Sequence, residues 1–77
     1  MRLSGNIKFF LELQSQLKVL HWQTKSHAKH VSFGETYNVL DGLIDSFVEI
    51  AMGIYGRFKL EEEETHISIQ NLSDVDV

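Results

Sequence analysis

One apolar seam limits what this chain can fold into more than any other feature. Phe33, Tyr37, Leu40, Ile44, Phe47, Ala51, Ile54 and Phe58 follow one another at alternating steps of four and three. That spacing puts a heptad stripe on one face of a helix, whereas a half-buried strand would alternate every second residue. Ser32 precedes the seam and Glu35 follows three residues later, which is a capping-box start. Gly56 stands where a left-handed residue closes a helix, with Arg57 and Lys59 beside the negative helix end. Together these signals predict a helix over about residues 33–56.

A second helical pattern precedes it. Leu3, Phe10, Leu13, Leu17, Leu20 and Thr24 share a face at the same spacing, with Ser4 or Asn6 as the cap. This predicts a helix over about residues 4–28 and a break near 27–31, a stretch without Gly or Pro to mark it. Two helices joined by a short connection form an antiparallel hairpin, here over residues 1–58.

Both helices carry more apolar surface than one hairpin seam uses. Ile7, Leu11 and Trp22 make a second stripe on the first helix; Val48, Met52 and Tyr55 lie beside the seam on the second. The small residues Gly42, Ser46 and Gly53 occupy a further face where a neighbouring helix can approach closely. A chain of 77 residues buries little of its own surface, and with no cysteine it has no disulfide to compensate. The expected fold class is therefore all-α: a hairpin that dimerises, or forms a higher homo-oligomer, as a ferritin-like four-helix bundle.

Charge divides the chain. Residues 1–60 hold all seven Lys and Arg against five acids, while Glu61 to Glu64, Asp74 and Asp76 make the tail strongly acidic. No cluster of Lys and Arg marks a nucleic-acid partner. No apolar run approaches the ~18 residues of a membrane span, and no h-region follows Arg2. A cytoplasmic protein is the expectation. Residues 59–77 read as an acidic linker followed by an extended segment at Thr65–Gln70. Ser73 with the acids behind it reads either as the start of a further helix at which the chain stops or as a disordered acidic terminus.

Three of the four histidines, His21, His27 and His30, fall within ten residues. Asp41, Asp45 and Glu49 recur every fourth residue on the second helix with no basic residue between them on that face. Like charges at this spacing repel by a few tenths of a kcal/mol each, so the stripe invites a cation. His21 lies between the two apolar stripes of its helix, where a subunit interface would form. Imidazole with carboxylate suits iron, zinc or manganese. No other catalytic arrangement is present: there is no cysteine, no serine in a Gly-rich elbow and no phosphate loop.

Leu20-His21-Trp22, then His30, then Asp45 and Glu49 four residues apart, resembles the first half of Dps-type proteins, the small relatives of ferritin. The resemblance covers about residues 7–56. It implies iron bound at a two-fold interface, by His21 and His30 of one subunit and Asp45 and Glu49 of its mate, with Fe(II) oxidation as the chemistry. The spacing fits with an interhelical loop three residues shorter than the family's. The sequence departs from that pattern at Gly34, where the family usually has a further Asp, with Glu35 as the substitute. The later helices and the basic arm are also missing, which argues against cage storage. The stretches His21–Ser26 and Leu40–Glu49 also resemble an uncharacterised group of short proteins from T4-like phages of marine cyanobacteria. Members of that group continue with more helix. The resemblance implies a phage protein located in the host cytoplasm and brings no known activity.

Overall fold

The computed structural model describes residues 3–72. Two helices, α1 (Leu3–Gln23) and α2 (His27–Tyr55), pack side by side as a hairpin, and a single 3₁₀ turn (Glu62–Glu64) follows. No strand occurs among the described residues. The all-α hairpin follows the apolar periodicity of the sequence.

The connection lies earlier than the expected break. It is Thr24–Lys25–Ser26, and α2 starts at His27, about one and a half turns before Ser32. Hydroxyl groups set this boundary. The Thr24 Oγ1 accepts the Ser26 N–H at 3.2 Å, and the Ser26 Oγ accepts the Lys29 N–H at 3.2 Å. Ser26 is therefore the cap, satisfying one of the donors that the first helical turn leaves unpaired. Ser32 and Glu35 sit inside a continuing helix. At the other end, Gly56 closes α2 as expected, with φ +85° and its N–H bonded to the Met52 carbonyl.

The helix contact drifts off the heptad line. Phe33, Tyr37, Leu40 and Ile44 are half-buried and Ala51 is buried, as the seam requires. Beyond Ile44 the contact passes to Val48 and Met52, both half-buried, while Ile54 is 69% exposed. A straight helix slips about 20° per heptad against a 3.5-residue repeat, so roughly 60° accumulates over three heptads. That rotation turns Ile54 out of the contact. Phe47 stays at its edge, with its ring edge-on to Phe10 at 5.5 Å between centroids. On α1 the most buried residue is Ile7, assigned from sequence to the second stripe.

The chain is long rather than round. Its radius of gyration is 14.5 Å, against about 11.5 Å for a compact domain of this length. Only Ile7 and Ala51 are buried apolar residues among those described. One long side of α2 carries Val39, Leu43, Phe47, Ile50 and Ile54, all exposed, with Phe47 at its border with α1.

The tail is bound to α1. Glu61 and Glu64 form a capping box around the 3₁₀ turn, with the Glu64 carboxylate accepting the Glu61 N–H at 2.8 Å. Glu64 is buried and approaches Gly5. Beyond it, the Gln16 side chain pairs both ways with the backbone of Gln70: its Nε2 donates to the carbonyl and its Oε1 accepts the N–H, each at 2.8 Å. Seven residues further along α1, the Gln23 Oε1 accepts the Leu72 N–H at 2.8 Å and its Nε2 donates to the Asn71 side chain at 2.9 Å. The segment runs in the same direction as α1 and stays extended because these two glutamines take up its backbone groups. The helix start expected at Ser73 lies outside the described residues.

Candidate functional site at the helix connection

The short connection brings the last turn of α1 against the first turn of α2, and with it His21 against His30. Their imidazoles stack at 3.9 Å between centroids with planes 18° apart. The His21 Nδ1 lies 2.7 Å from the His30 carbonyl oxygen, and the His30 Nδ1 lies 2.8 Å from the His21 carbonyl oxygen. A carbonyl oxygen only accepts, so each Nδ1 carries the proton. In the neutral ring this leaves the Nε2 lone pair free on both residues. His27 stands further along the same stack, its ring 6.4 Å from that of His30.

Gly34 explains how the pair fits. A Cβ on Gly34 would lie 2.9 Å from Cε1 and 3.0 Å from Nδ1 of His21, closer than side chains approach one another. The ring that would have to move is held by its bond to the His30 carbonyl. Gly34 is thus the floor on which His21 rests, a role that the Dps-type resemblance, in which this position stands as a missing carboxylate, does not reveal.

The acidic residues divide. The Asp41 Oδ1 accepts a hydrogen bond from the Gln14 Nε2 at 2.9 Å, so α1 already holds that carboxylate. Asp45 and Glu49 are exposed and have no ion-pair partner among the described residues. They stand 15 and 19 residues beyond His30, about 22 and 28 Å along α2. The hairpin therefore brings His21 and His30 together and keeps Asp45 and Glu49 apart from them. Among the described residues, no group of three or more His, Asp or Glu side chains converges tightly enough to hold a metal ion.

Apolar and cationic groups surround the middle of the hairpin. Lys18 places its Nζ 4.5 Å from the centre of the Tyr37 ring and 5.8 Å from that of Trp22, bridging the helices through aromatic faces. At the open end, Leu3, Asn6, Phe47, Ile50, Ala51, Ile54 and Tyr55 line a cleft of about 570 Å³.

Fold and side chains together define a small all-α hairpin protein with a paired-histidine connection and a long unpaired apolar face. The chain belongs to a family of unknown function (DUF5856), whose family model matches residues 21–77. That span takes in His21, the connection, all of α2 and the tail. No curated protein and no solved structure matches the chain. Among the described residues no helix is long and apolar enough to cross a membrane.

Proposed function

We propose that this chain is a self-associating helical module whose α2 face pairs with a second copy to complete a four-helix bundle. The carrying observation is the row Val39, Leu43, Phe47, Ile50 and Ile54, exposed along the whole second half of α2. At 100° per residue the row falls within an arc of about 100°, the width of a core-facing stripe. The surface area agrees with this reading. The chain exposes 5681 Å², against about 4800 Å² for a compact monomer of 8.9 kDa. The surplus is about the 800 Å² that one partner contributes to a standard interface.

Association makes stability depend on concentration, since a partner that binds only the folded chain stabilises it by mass action. The thermal midpoint is expected to rise by several degrees between micromolar and hundred-micromolar protein. A midpoint that stays fixed over that range contradicts the proposal.

A second reading, metal binding across a dimer of different register, is supported by the histidine tautomers. The free Nε2 lone pairs of His21 and His30 are the form in which imidazole ligates a metal. Asp45 and Glu49 of the second copy would complete the set. Iron is the first candidate there, with zinc and manganese as alternatives, and bound iron with an open position would supply Fe(II) oxidation. Titration of Fe(II) or Zn(II) tests this reading. Binding at micromolar metal that disappears in the His21→Ala/Glu49→Ala double variant supports it; binding that survives the double variant, or none, rejects it.

A further inference from the structure

The exposed row on α2 also specifies how a second copy packs. Resting on the self-association proposed above, we infer that the two α2 helices lie antiparallel with the two-fold axis between Ser46 and Phe47. The row is symmetric about that point. Val39 and Ile54 are equidistant from it, as are Leu43 and Ile50. Antiparallel packing centred there sets Val39 of each copy against Ile54 of the other and Leu43 against Ile50, so that every exposed apolar residue of the row meets another. Slipping the centre by one turn leaves one end of each row in water.

Two further observations fit this register. The cleft lined by Leu3, Phe47, Ile50, Ala51 and Ile54 lies at the end of the row, where Leu43 and Val39 of the second copy would enter. The flanking charges are also complementary. Glu35 in α2 and Arg57, two residues past its end, are both exposed and lie on opposite sides of the axis. Antiparallel packing brings Glu35 of one copy to the level of Arg57 of the other, and parallel packing would set Glu35 level with Glu35 and Arg57 level with Arg57. Opposed helix dipoles favour the same orientation.

This register differs from the one that four shared metal ligands require. Bringing His30 to Asp45 and Glu49 of another copy needs an axis near Asn38 or Val39, about 11–13 Å away along α2. The two arrangements exclude one another.

The absence of native cysteine makes the register measurable by disulfide trapping. A disulfide needs Cα atoms about 4.4–6.8 Å apart, so a single cysteine links to itself only near the axis. The full chain carrying Ser46→Cys is expected to convert mostly to covalent dimer under mild oxidation. Val39→Cys alone is expected not to link, and to link when mixed with Ile54→Cys. Self-linking of Val39→Cys overturns the inference, because both a parallel dimer and the metal-sharing register produce it. A dimer by mass in which Ser46→Cys fails to link also overturns it. A monomeric mass for the reduced variants and the parent chain alike instead rejects self-association itself.

Discussion

His21 and His30 each donate an Nδ1–H to the other's main-chain carbonyl, at 2.7 and 2.8 Å, across the connection between the two helices. The pair does two things at once. It ties the last turn of α1 to the first turn of α2, and it fixes the proton of both neutral imidazoles on Nδ1.

The tie has a measurable strength. A hydrogen bond of this kind contributes about 1 kcal/mol net. His21→Ala and His30→Ala are each expected to lower unfolding stability by about 1–2 kcal/mol in urea titrations. The double variant is expected to lose less than the sum, because each single change breaks part of the shared pair. Strict additivity would show that the two rings act independently.

Gly34 is expected to resist enlargement. Replacing glycine by alanine within a helix normally gains about 0.5–1 kcal/mol. At Gly42, where an added Cβ meets nothing within 4 Å, that gain is expected. At Gly34 the added Cβ strikes the His21 ring, and overpacking of this kind costs about 1–3 kcal/mol. Gly34→Ala is therefore expected to destabilise and Gly42→Ala to stabilise. Equal shifts of the same sign in thermal melts would contradict the packing described.

The start of α2 is expected to respond to Ser26 and not to Ser32. Loss of a capping hydroxyl costs about 1 kcal/mol. Ser26→Ala is expected to show that loss, and Ser32→Ala, inside the helix, to be neutral or slightly stabilising. The reverse order in denaturant midpoints would return the boundary to Ser32.

The contrast at these two serines shows where the sequence is legible. The seam from Phe33 to Ile44 is readable because burial follows a periodicity that the residues display directly. The connection is not, because Ser32 with Glu35 has the form of a capping box, whereas the hydroxyls of Thr24 and Ser26 leave no comparable pattern. Ile54 fits a strict heptad, but a straight helix rotates it into solvent. His21 and His30 are singled out together by the Dps-type resemblance, yet the stacking, the tautomers and the support from Gly34 depend on the three-residue turn. The attachment of the tail is equally hidden: glutamine side chains that bind backbone groups have no signature in composition.

That attachment has its own test. With Gln16→Ala the Gln70 N–H loses its acceptor, and with Gln23→Ala the Leu72 N–H loses its own. Hydrogen exchange at each amide is expected to speed up by an order of magnitude or more in the matching variant, while amides in the middle of α2 keep their protection. Unchanged exchange at Gln70 and Leu72 would show that the glutamines do not hold the segment.

The face of α2 is tested most directly by sedimentation equilibrium of the native chain and of Leu43→Glu/Ile50→Glu. Both substituted positions are exposed within one chain, so the hairpin is expected to keep its helical content. The native chain is expected at twice its 8.9 kDa mass at tens of micromolar, and the double variant at the single-chain mass. A native chain that stays at 8.9 kDa, or a double variant that still sediments as a dimer, would contradict pairing through this face.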